Sequence, residues 1–305
     1  MDRWNTSESV LIWTGHFATA FVAAQLTGEA RRFRVLFAVF GTVLALESIL
    51  QCWTAGGRVF WLFDSGYTER VFGPFLYHNK FAQFVELVLP VVLFQALKDR
   101  QQALLWFAAA ALLFGGILAS ASRSGLLMAL LELGLFMAAA YVSGAVRGRT
   151  AVWSGISLAL LAVAGGVLAG WTGMLERLTG LDPRLDLRLP IWKSTLTMIA
   201  ERPATGFGLG SFPNVYPAYA DMDIGLFVNT AHQDWLQWAA EGGVPMLLAM
   251  LGFAGMAAPR LLRSLWGAGA LVVLLHGMLD YPMSQNPAFA SLVVAVIMLA
   301  ATSDE

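Results

Sequence analysis

A histidine, an amide and an acid in succession open one of the longer apolar runs of this chain, in "NTAHQDWLQWAAEGG", Asn229 to Gly243. Thr230 and Gln233 have the spacing of a capping box, in which hydroxyl and amide satisfy free backbone N–H groups. A helix is therefore predicted from Ala231, with His232 in its first turn. The exposed N–H groups and partial positive charge of a helix N-terminus disfavour an imidazolium. His232 is expected to stay neutral, the form that accepts a proton. At about 100° per residue, Gln233, Gln237 and Glu241 fall on one stripe with Asp234 beside them. Such a stripe should face a bundle interior or a wet cavity instead of lipid. For Gln237 and Glu241 alone, holding helices together is a sufficient reading.

Two arginines stand out by position. "SASRSGLL" puts Arg123 in a short connection between two apolar runs. Its guanidinium either snorkels to lipid phosphates or grips a phosphate of a substrate with its planar fork of donors. "DLRLPIWKSTLTMIAERP" reads as a short helix that begins at Pro190 and stops before Pro203. Arg188 then precedes the first turn, where it either presents its guanidinium beside exposed N–H groups or is simply solvated.

Other groups could join these. "GFGLGSF" carries Gly206, Gly208 and Gly210, which permit a tight path and a close backbone approach to a ligand. The motif neither follows a strand nor has Walker spacing, so it does not indicate a nucleotide. A structural turn is the simpler reading and a phosphate nest the other. "HGMLDYP" sets His276 and Asp280 one helical turn apart, where they either neutralise each other or serve function. Asn79 and Glu86 belong to "YHNKFAQFVE", a polar approach to an apolar run, and Glu47 and Glu132 also lie inside apolar runs. His16, His78, His232 and His276 show no paired ligand spacing and Cys52 is the single cysteine, so neither a metal site nor a cofactor is predicted. Carboxylates alone suit magnesium. No Gly-x-Ser-x-Gly elbow appears, which leaves a hydrolase triad unsupported.

The elements that must position these groups follow from composition. Of 305 residues, 58% are hydrophobic and 13% charged, whereas soluble domains are charged at about a quarter of positions. The fold class is all-α, a polytopic helical membrane protein, because the apolar runs are too long for strands and do not alternate. A net charge of −1 argues against nucleic acid as a partner. "MDRWNTSESV" lacks the plan of a signal peptide, so the spans themselves are expected to direct insertion. Runs near residues 10 to 27, 35 to 54, 80 to 97, 103 to 120, 125 to 143, 151 to 170, 232 to 257, 265 to 281 and 288 to 301 give about nine spans.

Every second short connection is basic: Arg31, Arg32 and Arg34; Lys98 and Arg100; Arg147 and Arg149; Arg260 and Arg263. These face the cytoplasm under the positive-inside rule, which puts the N-terminus outside and the C-terminus inside. The predicted layout is an N-terminal bundle of six spans over residues 1–170, an outer loop domain over 171–231, and three C-terminal spans over 232–305. A structureless loop of that length is improbable, so short helices are expected in it. The candidate groups then lie on one side of the membrane.

"GPFLYHNKFAQFVE", "SASRSGLL", "RLPIWKSTLTMIAERPATGFGLGSF", "HQDWLQWAAEGG" and "HGMLDYP", in that order, resemble the O-antigen ligase and polymerase superfamily over residues of about 73–290. The resemblance implies a bacterial inner-membrane glycosyltransferase with its active site facing the periplasm and no metal requirement. Its donor would be a glycan on a polyprenyl-diphosphate carrier held among membrane lipid. Its acceptor would be a hydroxyl of a glycan, of lipid A core or of a protein. Arg123 matches the arginine of the family's "SRSG" motif, Arg188 the arginine before the Trp-containing helix, and His232 the histidine of the family's His-amide motif. Gln233 matches the second position of that motif and Gly243 a later glycine. Met246 departs from the small residue or tyrosine common in ligases. The family often has more spans, and an outside N-terminus is what a chain lacking its first spans would show.

On this resemblance Arg123 and Arg188 neutralise the carrier diphosphate, His232 receives the acceptor proton, and a one-step displacement inverts the anomeric carbon. The alternative class is a membrane transporter or flippase for an anion or a lipid-linked sugar, since polar groups within spans also mark transport pathways. Against it, the sequence shows no inverted repeat and no matched pair of interrupted helices.

Overall fold

The computed structural model of the chain describes residues 3–66, 71–146, 183–222, 225 and 227–302. Its helices are α1 (Arg3–Gln25), α2 (Ala30–Thr54), α3 (His78–Lys98), α4 (Ala103–Ser120), α5 (Arg123–Val142), α6 (Pro183–Glu201), α7 (Phe212–Val215), α8 (Asp234–Ser264), α9 (Ala268–His276), α10 (Pro282–Gln285) and α11 (Pro287–Thr302). The one sheet among the described residues is a short antiparallel ribbon, β1 (Arg58–Val59) with β2 (Phe63–Asp64).

Five described helices are long and apolar enough to cross a membrane: Thr27–Thr54, which extends α2 by its leading turn, and α3, α4, α5 and α8. The bounds of α2 to α5 lie close to four of the predicted runs. Nine spans are not found among the described residues. The predicted sixth, 151 to 170, lies outside them, as do Arg147, Arg149 and Arg177. The first is a helix of 23 residues, α1, whose Asn5, Thr6, Ser7, Glu8 and Ser9 dilute its hydropathy. The eighth shortens to α9, nine residues, and the last to α11, sixteen residues. Both are below the roughly 20 residues a bilayer core requires.

The chain divides into two compact units, each built from separate segments. One comprises Leu26–Gly180, Arg260–Val273 and Leu299–Glu305. Its centre is α3, which packs against α2, α4 and α5 and buries Phe81, Leu87 and Leu89 completely. Lipid supplies little hydrophobic drive between helices, so close approach through small residues does the joining. A Cβ at Gly41 would lie 2.5 Å from Val88 Cγ1, and one at Gly125 would lie 2.6 Å from Ala82 Cβ. Arg34 is buried with its guanidinium 4.5 Å from the ring centre of Phe94 and 5.8 Å from that of Trp266, an arrangement that solvates the cation on aromatic faces.

The other unit comprises Met1–Gln25, Leu181–Pro259 and Leu274–Met298. Ile191, Met198, Phe207, Phe212, Tyr216 and Ala240 form its core. The predicted start of α6 at Pro190 is corrected: the helix begins at Pro183 and carries Pro190 inside it. Either proline suits a first helical position, where the missing N–H costs nothing. The earlier one prevails because the residues between them, rich in Leu and Arg, are good helix formers.

The predicted seventh span also needs correction, because α8 is broken at Gly243, whose φ of 73° and ψ of −177° are not helical. Pro245 has no N–H to give to Glu241 O four residues back. The Gly208 N–H fills that carbonyl instead, at 2.9 Å. Val244 N turns away to Pro203 O at 2.7 Å, and Phe207 N takes over Ala240 O at 3.0 Å. Three backbone groups released by the kink, Ala240 O, Glu241 O and Val244 N, are thus satisfied by the stretch from Pro203 to Gly208.

Candidate functional site

The break explains what the glycines do locally. Gly206 has φ of +61°, and a Cβ there would lie 2.4 Å from the backbone C and O of Glu241. Gly210 has φ of +70°, and a Cβ there would lie 2.7 Å from Asn5 O of α1. The close approach these two glycines permit is to the protein's own backbone. Glu241 completes the fastening: its Oε2 accepts from Gly210 N at 2.9 Å, and its Oε1 accepts from Gln237 Nε2 at 2.8 Å. Gln237 Oε1 in turn accepts from Ala231 N at 2.7 Å. This polar stripe ties the glycine loop and residue 231 to the first turns of α8.

The predicted capping box is replaced by a simpler arrangement. The helix begins at Asp234, not Ala231. Gln233 Oε1 accepts from Leu236 N at 2.5 Å, so Gln233 is itself the cap, while the buried Thr230 Oγ1 has no hydrogen-bond partner among the described residues. His232 stands just outside the helix with φ of +52°, uncommon for any residue with a Cβ and more accessible to histidine than to most. Its ring meets Tyr281 edge-on, with 4.7 Å between centres.

Tyr281 belongs to the turn between α9 and α10, and several site residues converge on that turn. Arg188 Nη1 donates to Leu279 O at 2.8 Å, and Nη2 lies 3.9 Å from Asp280 Oδ1. Asp234 N donates to Gly277 O at 2.9 Å and to Asp280 O at 3.3 Å. Asp280 N donates to His276 O at 2.9 Å, and both of these side chains are buried. Arg188 is 20% exposed at its side chain. Beyond Leu279 and Asp280 its guanidinium has no partner among the described residues, and the fork carries more donors than these two contacts use. The other described cations of this stretch are engaged: Lys193 Nζ lies 2.6 Å from Asp221, which raises the pKa of the amine, and Arg202 stacks over Phe207 at 4.7 Å.

Asp234 is the residue whose part the sequence did not disclose. Its buried carboxylate accepts from Met283 N at 2.8 Å, Ser284 N at 2.9 Å and Ser284 Oγ at 2.5 Å. A carboxylate from α8 therefore caps α10. Asp234→Ala leaves those donors buried without an acceptor, an expected loss of about 3 kcal/mol. Asp234→Asn retains one acceptor oxygen and should lose less, so thermal melts in detergent should rank wild type above Asn and Asn above Ala. Tyr281 was also missed as the partner of His232. The only signal was its place in "HGMLDYP".

The remaining predicted residues lie in the unit around α3. Arg123 opens α5, whose cap Ser122 accepts from Gly125 N at 3.0 Å. Asn79 is half-buried in the first turn of α3 and Glu86 is fully buried two turns on. A Cβ at Gly269 in α9 would lie 2.4 Å from Glu86 O, so α9 crosses close over that turn of α3. Among the described residues, no three His, Cys, Asp or Glu side chains gather closely enough to hold a metal ion.

Residues 108–251 match the family described as O-antigen ligase. The matched stretch contains Arg123, Arg188, Gly206, Gly208, Gly210, His232 and Gln233, and it ends before His276 and Asp280. No curated protein matches the chain.

Proposed function

The chain belongs to the O-antigen ligase and polymerase superfamily, and from this premise we propose that it transfers a glycan from a polyprenyl-diphosphate carrier to an acceptor hydroxyl at the periplasmic face of the bacterial inner membrane. The observation that carries the reading is that Arg188 and His232 are fastened to the same turn, one at Leu279 and Asp280 and the other at Tyr281. A cation for a diphosphate and an imidazole for a hydroxyl proton are thereby held by one short stretch of backbone.

In this reading the donors of Arg188 not used by Leu279 and Asp280 bind the carrier diphosphate, and Arg123 is a proposed phosphate contact on the strength of the resemblance alone. The acceptor oxygen attacks the anomeric carbon as the bond from that carbon to the phosphate oxygen breaks. The acceptor proton passes to His232, and the electron pair of the broken bond leaves on the diphosphate. Negative charge grows on the diphosphate in the transition state, where preorganised cations in a site of low dielectric act most strongly. Asp280 orients Arg188, and Tyr281 limits the motion of the imidazole. Gln233 serves by setting where the helix starts, and the glycines by fixing the loop below. Asn79, Glu86 and His276 are proposed substrate contacts on the strength of the resemblance. A single displacement inverts the anomeric centre.

The break at Gly243 favours one second reading, transport, because discontinuous helices line transport sites. Protein reconstituted into vesicles with a labelled polyprenyl-diphosphate glycan and a range of hydroxyl acceptors separates the two. Transfer predicts a labelled acceptor of inverted configuration and free carrier diphosphate. Label that crosses the bilayer still attached to its carrier, with no acceptor product, overturns it in favour of transport.

A further inference from the structure

The unit that holds His232 contains a cavity of about 590 Å³ whose walls are α1, α8 and α11. His16 Nδ1 of α1 lies 3.0 Å from Ser291 Oγ of α11, which joins two of the walls. The lining changes character along α1: Asn5, Glu8 and Ser9 at one end, Trp13 in the middle, Phe17 and Ala20 at the other. Fifteen residues of helix separate Asn5 from Ala20, a run of about 22 Å at 1.5 Å per residue. The other walls follow the same gradient. Gln237 and Glu241 precede the break in α8, whereas Met250 and Phe253 lie beyond it, and Val294 and Ile297 extend the apolar end on α11. Such a polarity profile fits a molecule with a polar head and a hydrocarbon chain.

Charge narrows the head. The lining includes Glu8 and Glu241 and neither a lysine nor an arginine. A phosphate or diphosphate placed there would meet the Glu8 carboxylate, a Glu241 whose oxygens are already bonded to Gly210 N and Gln237 Nε2, and no lysine or arginine, a disfavoured match. What the polar end offers is hydrogen bonding from the Asn229 amide and the Ser9 hydroxyl. Trp235 and Trp238 meet edge-on 5.3 Å apart at that end, and Trp13 follows next along α1. Flat aromatic faces beside amide, hydroxyl and carboxylate groups suit a pyranose, which has both apolar C–H faces and hydroxyl edges.

We propose that this cavity binds a neutral, sugar-headed amphiphile, its glycoside between Trp13, Trp235 and Asn229 and its chain along Phe17, Ala20 and Phe253. The site is chemically distinct from the arginine that suits a diphosphate. Its role as the acceptor site rests on the transfer reading, whereas the binding itself does not.

The test uses the whole chain in a polyoxyethylene detergent, with dodecyl maltoside added at low micromolar concentration and retention counted by native mass spectrometry. One maltoside is expected per chain, displaced neither by maltose nor by inorganic pyrophosphate, while dodecyl phosphate of equal chain length should be retained at least tenfold less. Ala20→Phe should block the chain end and Trp13→Ala should weaken the head end, each lowering retention about tenfold while the protein remains monodisperse. If Ala20→Phe fails to fold, Trp13→Ala decides alone. Equal retention of dodecyl phosphate, or wild-type retention by a folded variant, overturns the proposal. Absence of maltoside binding by the wild-type protein with transfer intact refutes this site alone, whereas binding without any transfer refutes the glycosyltransferase reading alone.

Discussion

His232→Ala should lower glycan transfer about 10²–10⁴-fold, the range over which a positioned acid or base contributes, while the protein still inserts and melts within a few degrees of wild type. The imidazole stands outside α8, half-buried, and leans edge-on against Tyr281. An aromatic contact of that kind is worth about 0.5–1.5 kcal/mol. The backbone that positions residue 232 is held by other groups: the Gln233 cap, the Asp234 bonds to Gly277 and Asp280, and the Gln237 bond to Ala231. A second variant, His232→Gly, relieves the φ of +52° and still removes the ring, so it should be as inactive and no less stable. Initial rates with a lipid-linked donor, beside melting curves, check both. Wild-type rates in either variant would end the assignment of His232 as proton acceptor.

Gly206→Ala should damage the fold most among the glycine substitutions of the loop. The new methyl meets backbone atoms of Glu241 at 2.4 Å and Gly242 N at 2.7 Å, and no side-chain rotation relieves a clash with backbone. Left-handed strain adds about 1–2 kcal/mol and forced overpacking about 1–3 kcal/mol. The bonds from Phe207 N to Ala240 O and from Gly208 N to Glu241 O are loosened with it. A combined loss of about 3 kcal/mol is a large share of a marginal stability and should lower the melting temperature by roughly 5–10 °C. Gly252→Ala, within α8 and with nothing within 4 Å of its added methyl, is the control and should be neutral or slightly stabilising. Equal melting of the two variants would show that the loop does not fasten the break.

The sequence disclosed the helices that hydropathy alone defines. The runs that became α2 to α5 are bounded by basic, polar or glycine residues on both sides, and their ends were legible to within a few positions. The break in α8 was not, although Gly243 and Pro245 both signal it, because the apolar pattern runs through them without interruption. What makes the kink stable is pairing with Pro203 to Gly208, some forty residues earlier, and no local pattern encodes that. For the same reason the eighth run ended early: Gly277 and Asp280 offer their carbonyls to Asp234 N instead of continuing a helix. In the site, residue types pointed to Arg188 and His232 as chemistry. Their local settings were misread, Arg188 being inside a helix and His232 outside one. The partners that settle these positions, Leu279 and Tyr281, come from a segment far along the chain.

The interruption at Gly243 also sets which part of the chain keeps the imidazole in register. The two turns after His232 are laced to the glycine loop, and the apolar stretch beyond Pro245 is coupled to them through a single non-helical glycine at positive φ. Lengthening that stretch by one residue would rotate everything after it and leave His232 where it stands. One residue added between Pro203 and Gly206 would instead slide the lacing and carry the histidine away from Tyr281.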